Sequence, residues 1–326
     1  MNDLSKDAVN RVAVGDEGAG QRVDNYLLRI LKGVPKSHVY RILRSGEVRV
    51  NRHRVGPDTR LASGDVLRIP PIRTAAPAHK AAPRAPVSIP VPPILFEDDA
   101  LIALDKPAGL AVHGGSGISH GVIERLRLTR PDAKFLELVH RLDRDTSGVL
   151  LVAKRRAALT GLHAQLREGA IDKRYYVLVR GKWRDARRAV ELALETYVTA
   201  DGERRVRVDP EGRAARTIFR RVRSWPEANP PVALLEAELE TGRTHQIRVH
   251  LTHLGFPLAG DDKYGDFAWN KTLAKTGLKR MFLHAHRIRF RHPIDGREVV
   301  VESPLPPDLA AFVGSLDAAR PEVGHA

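Results

Sequence analysis

The chain carries His140-Arg141-Leu142-Asp143-Arg144-Asp145-Thr146-Ser147-Gly148 directly ahead of the apolar run Val149-Leu150-Leu151-Val152-Ala153. A short apolar run bounded by a polar, glycine-ended turn reads as a buried strand. The turn in front of it is rich in charge. An aspartate in a turn commonly does no more than close it through an Asx-type hydrogen bond. Here an arginine stands two residues before Asp143, and the strand behind holds the backbone still. That is how a rigid scaffold presents a reactive group from a loop.

Two other segments supply chemistry to match. Lys173-Arg174-Tyr175-Tyr176-Val177-Leu178-Val179-Arg180-Gly181 reads as a strand with a basic, aromatic entrance. Strand alternation sends Tyr175 and Tyr176 to opposite faces. Thr241-Gly242-Arg243-Thr244-His245-Gln246-Ile247-Arg248-Val249-His250 reads as a tight turn opening a helix, with Arg248 in its first turns. Together the three segments offer a carboxylate, a phenol and a guanidinium.

The wording and order of these segments resemble the RluA-type pseudouridine synthases. The resemblance rests on HRLDRDTSGVLLVAK at 140–154, KRYYVLVRG at 173–181, TGRTHQIRVH at 241–250, GFPLAGDDKYG at 255–265 and RMFLHAHRIRF at 280–290. It extends from about Arg22 to about Leu309. Within the family, LKGVPKSHVYRILRSGEVRVN and AVHGGSG are similar to members that modify 23S ribosomal RNA.

The resemblance implies an isomerase that detaches a uracil from its ribose, turns it and rejoins it through C5, with no cofactor and no metal. Asp143 would be the essential carboxylate, attacking C1′ or uracil C6 or taking a proton from C2′. Arg248 would pair with Asp143 and keep it ionised and aimed. Tyr175 would lie against the base and accept the C5 proton directly or through water. Arg141 would help extract the uridine from its stack, a flip that costs a few kcal/mol. His140, Lys173, His245 and Ile247 would line the substrate site, and Lys106-Pro107, another family motif, would shape it.

Bulk properties agree with an RNA partner. The 326 residues are enough for one large or two modest domains. The net charge of +15 fits a polyanionic partner. No apolar stretch approaches the roughly 18 residues of a membrane span. No secretory h-region stands at the N-terminus, so the protein is expected in the cytoplasm, as a monomer. With no cysteine in the chain, thiolate nucleophiles, disulfides and cysteine-ligated metals are excluded. His245, His250 and His253 do not have the spacing of a zinc-binding helix, and no acidic ligand nearby completes a set.

Along the chain, residues 1–18 are polar and expected to be mobile. Residues 20–70 read as helix–turn–helix–strand, with Ser37 as an N-cap and Gly46 ending the second helix. Between Arg22 and Arg68 eleven Lys or Arg stand against four acids, an excess of seven that is nearly half the total charge of the chain. That is the footprint of a phosphate-backbone binder. The segment resembles the module shared with ribosomal protein S4, which implies RNA contacts from Lys36, Arg41 and Arg44 on a helix and from Arg52 and Arg54 on a loop. Residues 71–93 are a Pro/Ala-rich linker. Residues 94–315 should form the catalytic domain, and 316–326 a disordered tail.

In that larger domain short strands outnumber helices and do not alternate regularly with them. The pattern predicts an α+β fold with a central mixed, mainly antiparallel sheet. The glycine-rich Gly114-Gly115-Ser116-Gly117 lacks Walker spacing and reads as a loop near RNA. The basic run from Lys271 to Arg280 reads either as further RNA surface or as a solvated loop. Three rivals stay open at this level: a synthase of the same family acting on another RNA or another 23S site, a non-catalytic binder of ribosomal RNA, and a hydrolase using Asp143.

Overall fold

The computed structural model describes residues 8–31, 34–72, 90–114, 120–200 and 202–319. Most of the expected linker, Gly115 to Gly117, residues 1–7 and the end of the expected tail lie outside the described residues. The chain divides into two compact units, Met1–Ile89 and Pro90–Ala326.

In the first unit, strand β1 (Asn10–Ala13) precedes helices α1 (Val23–Ile30) and α2 (Lys36–Arg44), followed by β2 (Arg49–Val50), β3 (His53–Arg54) and β4 (Val66–Ile69). The strands form one sheet in the order β1-β4-β2-β3. Val23, Tyr26 and Leu27 of α1 and Val39, Ile42 and Leu43 of α2 fill its core. Each set recurs at the three- and four-residue steps that make one helix face.

Two expectations fail here. Residues 10–13 are not loose, because Val12 and Val14 are buried and β1 pairs with β4 from Asn10↔Ile69 to Ala13↔Val66. The alternating Val12 and Val14 are the strand signal. The N-cap of α2 is Pro35, without a side-chain bond, and Ser37 lies inside the helix. Gly46 follows the end of α2 at φ 75°, a left-handed conformation glycine adopts without cost.

The second unit contains strands β5 (Ile94–Glu97), β6 (Leu101–Lys106), β7 (Glu137–Leu138), β8 (Ser147–Ala153), β9 (Asp172–Arg180), β10 (Arg187–Glu191), β11 (Leu194–Val198), β12 (Arg204–Val208), β13 (Arg216–Trp225), β14 (Val232–Leu239), β15 (Leu283–Arg291) and β16 (Glu298–Glu302). Its helices are α3 (Val122–Thr129), α4 (Arg156–Glu168), α5 (Gln246–His253), α6 (Phe267–Lys275) and α7 (Pro307–Ala318). Among the described residues ten strands join one sheet with the path β10-β13-β14-β9-β15-β8-β6-β5, while β11 and β12 form a separate hairpin. β8 and β15 run parallel and the other pairs antiparallel, so the sheet is mixed and mainly antiparallel.

Every residue of β8 is buried. Its alternate side chains serve two cores: Leu150 and Val152 join Tyr175, Val177, Leu235 and helices α3 and α5, whereas Val149 and Leu151 join Leu159 and Leu162 of α4. A strand covered on both faces reads as a continuous apolar run, as Val149 to Ala153 do. Gly148, at φ 110°, lets the parallel neighbour approach; a Cβ there would lie 2.2 Å from the Ala285 carbonyl oxygen.

The basic run after Lys271 is not a free loop. Its first half belongs to α6, which buries Trp269 and Leu273 against Leu178, Phe282 and Phe312. The last helix continues to Ala318, and its Leu316 packs on the same cluster, so ordered structure passes the expected end of the domain.

Candidate active site

The turn before β8 is closed by the backbone. The Thr146 N–H donates to the Asp143 carbonyl oxygen at 3.2 Å. Asp145 pairs with its neighbour Arg144. The Asp143 carboxylate is therefore not consumed in closing the turn, and it lies in the wall of a cleft of about 700 Å³. That cleft is lined from the three chemistry-bearing segments by His140, Arg141, Lys173, Tyr175, His245 and Arg248. Ile247 lines it too, almost fully buried.

Lys106 holds the turn from behind. It ends β6, is fully buried, and donates to three carbonyl oxygens: Pro107 at 2.9 Å, Leu110 at 2.8 Å and Arg144 at 2.9 Å. Burial pushes its amine down to about 7, and the nearby Asp145 and Asp143 pull the other way. Three acceptors in this arrangement match the three protons of an ammonium. Lys106 thereby ties the residue after Asp143 to the central sheet.

Arg248 sits in the first turn of α5 and is 3% exposed. Its Nη1 donates to Asp143 Oδ2 at 3.3 Å. Its shorter bonds go elsewhere: Nε to Asp261 Oδ2 at 2.7 Å and Nη2 to Asp261 Oδ1 at 2.6 Å. The sequence reading missed Asp261, although it lies in the quoted segment GFPLAGDDKYG. Asp261 is fully buried and also accepts the N–H groups of Lys263 and Tyr264. Burial alone would raise its carboxyl; the Arg248 hydrogen bonds and charge outweigh that and hold it below the usual carboxylate range. Burial opposes the charge on Arg248, but Asp261 and then Asp143 raise it above an ordinary guanidinium.

Tyr175 faces the cleft from β9, and burial, followed by the charge of Asp143, raises its phenol. Tyr176 points to the other face, where it stacks on His286 with ring centroids 3.8 Å apart. His140 accepts the Leu151 N–H on Nε2 at 3.2 Å, and burial, then the charge of Lys173, lowers it to about 4. The Lys173 amine is lowered mainly by burial. Arg141 is exposed at the mouth of the cleft.

His250 bonds to Thr217 Oγ1 and the Leu192 carbonyl. Among the described residues there is no group of three or more His, Cys, Asp or Glu that could hold a metal ion. In the first unit Lys36, Arg41, Arg44, Arg52 and Arg54 are all exposed. Arg54 also lies over Gly46 and donates to the Ser45 carbonyl at 2.6 Å. Among the described residues no helix is long and apolar enough to cross a membrane.

Comparison with known proteins connects this arrangement to one chemistry. The family model for RNA pseudouridylate synthase matches residues 100–253, which span the Asp143 turn, β9 and α5. The ribosomal large subunit pseudouridine synthase C of Pasteurella multocida is 49% identical over 95% of this chain and 94% of its own length. The proteins of that name from Yersinia pestis and Escherichia coli K12 are 51% and 49% identical, over 91% and 96% of this chain and 92% and 98% of theirs. This chain belongs to the RNA pseudouridylate synthase family.

An S4 domain model matches residues 21–67 of the synthase, within its first unit. Among solved structures, human RNA pseudouridylate synthase domain containing 4 is 25% identical with a TM-score of 0.55, covering 69% of this chain and 92% of that one. Human RNA pseudouridylate synthase domain containing 1 shares the fold at 23% identity and the same TM-score, covering 72% and 98%. The synthase thus carries its family's mixed sheet and, earlier in the sequence, a small RNA-binding module, and RNA is its partner class.

Proposed function

We propose that this synthase isomerises uridines in 23S ribosomal RNA of the large subunit to pseudouridine, with Asp143 as the essential carboxylate. The observation that carries the reading is the Asp143 carboxylate held 3.3 Å from Arg248 in a cleft that Tyr175 also lines. Identity near one half, over more than nine-tenths of the chain, to proteins named for the ribosomal large subunit supports the substrate.

In this reading the flipped uridine enters the cleft with its sugar–base bond at Asp143. Arg248 orients that carboxylate, and Asp261 keeps Arg248 in place. Tyr175 provides the face on which the base rests. The C5 proton leaves by way of the Tyr175 hydroxyl, directly or through water. Arg141, at the mouth, occupies the space the uridine leaves in the RNA. His140, Lys173, His245 and Ile247 confine the base and shield the detached uracil from water. Every heavy atom of the uridine is retained, the C5 proton is lost to water and N1 gains one, so the reaction balances without a cofactor or a co-substrate. Lys36, Arg41, Arg44, Arg52 and Arg54 of the first unit hold the RNA backbone. The synthase acts as a monomer in the cytoplasm, without a metal.

The test is tritium release from 23S ribosomal RNA labelled at uridine C5, with the modified positions mapped. Wild-type protein should release tritium, and Asp143→Asn should release none while binding the RNA with unchanged affinity. Release by Asp143→Asn would refute the assignment of Asp143. No release by wild type, with binding retained, would favour a different RNA or a binding-only role.

A further inference from the structure

Within the cleft His245 is presented in an unusual way. It is the N-cap of α5 and has φ 54°, a left-handed conformation that costs a non-glycine residue energy. The turn is locked by the next residue. Gln246 accepts from the Thr241 hydroxyl and the Arg243 N–H, and donates to the Arg216 carbonyl and the Thr217 hydroxyl. The backbone strain is thus maintained by buried polar bonds, and it aims the His245 ring into the cleft.

The two ring nitrogens have different surroundings. Nδ1 lies 2.8 Å from Tyr264 Oη. That oxygen already accepts the Val206 N–H of β12 at 2.9 Å. The hydroxyl proton of Tyr264 is left to be donated, and Nδ1 is the acceptor beside it. A nitrogen that accepts carries no proton, so the imidazole proton of the neutral ring resides on Nε2. Burial lowers His245 and raises Tyr264, which keeps the ring neutral and the phenol protonated, as this bond requires. Nε2 is 3.7 Å from Asp143 Oδ2, beyond hydrogen-bond reach, and the ring lines the cleft.

Tyr264 is itself fixed on several sides. The Arg248 guanidinium lies over its ring at 5.1 Å, its N–H donates to Asp261, and its carbonyl accepts from Thr252. The β11–β12 hairpin is tied to the same turn: Arg205 donates to the Lys263 carbonyl, and Glu203 pairs with Lys263.

We propose that Tyr264, seated on the β12 backbone, fixes His245 as its Nε2–H tautomer, and that this N–H donates to a carbonyl oxygen of the target uracil. The proposal rests on the isomerase reading and adds a residue role to it. When the N1–C1′ bond breaks, its electron pair leaves with the uracil, and the carbonyl oxygens carry much of that charge. A neutral donor fixed beside Asp143 stabilises the departing base without giving up its proton. His245 touches the substrate, whereas Tyr264 and the Val206 N–H act through it as positioning groups.

Nitrogen-15 labelling of histidine tests the tautomer directly. The chain has fourteen histidines, and the His245 signals are those lost in His245→Gln. At pH 7 long-range ¹H–¹⁵N correlation should show a proton on Nε2 and none on Nδ1. Tyr264→Phe keeps the ring beneath Arg248 and should add the Nδ1–H tautomer. A protonated ring, or an Nδ1–H tautomer in wild type, would overturn the proposal.

Single-turnover tritium release tests the consequence. Tyr264→Phe should slow the chemical step about tenfold, the order expected for one hydrogen bond, with RNA affinity unchanged. Tyr264→Phe combined with His245→Gln should be no slower than His245→Gln alone, because both act through one donor. Independent, multiplying losses, or an equal loss of RNA affinity, would overturn it. Absence of tritium release in wild type would refute the isomerase reading instead, and the tautomer would still be decided by resonance.

Discussion

Asp261 accepts Arg248 through both carboxylate oxygens, at 2.6 and 2.7 Å, while Asp143 receives the same guanidinium only through Nη1 at 3.3 Å. The two acids divide the labour. The fully buried one fixes the arginine, and the partly exposed one is left accessible to substrate. A single guanidinium serves both because its fork presents several donors in one plane.

Replacing Asp261 should therefore cost more stability than replacing Asp143. Asp261→Ala leaves Arg248 charged and buried without its main partner, a loss of about 3–5 kcal/mol for a broken buried pair. Urea denaturation should show that loss, and Asp143→Ala should shift the midpoint far less. Comparable losses for the two variants would contradict the division of labour.

Lys106→Met removes the donor to three carbonyl oxygens while nearly preserving volume. Each unsatisfied carbonyl costs about 1–3 kcal/mol unless water reaches it. The Asp143 turn should loosen, so tritium release should fall at least tenfold at a temperature where the fold persists by circular dichroism. Full activity in Lys106→Met would show that β8 alone positions the turn.

His140 sets a pH dependence. Its folded value of about 4 lies below the ordinary 6.5, so the unfolded chain binds more protons between those values. Stability should then fall as pH drops from 6.5 through 4, by at most about 3.5 kcal/mol for a shift of this size. His140→Gln should flatten that part of the urea-midpoint profile. An unchanged slope would show that His140 is protonated in the folded protein.

The exposed arginines of the first unit should act on affinity through phosphate charge. Replacing Arg41, Arg44 and Arg52 together by Gln should weaken RNA binding. It should also reduce the slope of log affinity against log salt by about 2–3, near one per lost phosphate contact. Tritium release at saturating RNA should stay near wild type. An unchanged salt slope would move the RNA backbone to another surface.

Much of the fold was legible because its signals are local. The run Val149 to Ala153 specifies a strand buried on both faces, and the spacing of Tyr26, Leu27, Ile42 and Leu43 specifies two amphipathic helices. Strand β1 is weakly marked because it is only four residues long and carries Asn10 and Arg11, and its pairing with β4 spans more than fifty residues of sequence. Helix α6 was hidden by lysines, although Trp269 and Leu273, four residues apart, mark its buried face.

The chain by itself determined the carboxylate, phenol and guanidinium, the segments carrying them, and the alternation that sends Tyr175 and Tyr176 to opposite faces. Those properties follow from residue type and from the period of strand and helix. Only the tertiary structure decided that Asp261 takes the best bonds of Arg248, that Lys106 clamps the Asp143 turn, and that Tyr264 stands between β12 and His245. Each of these joins residues distant in sequence through polar contacts made inside the fold, and no periodicity encodes which acceptor a donor will meet once the sheet has closed around it.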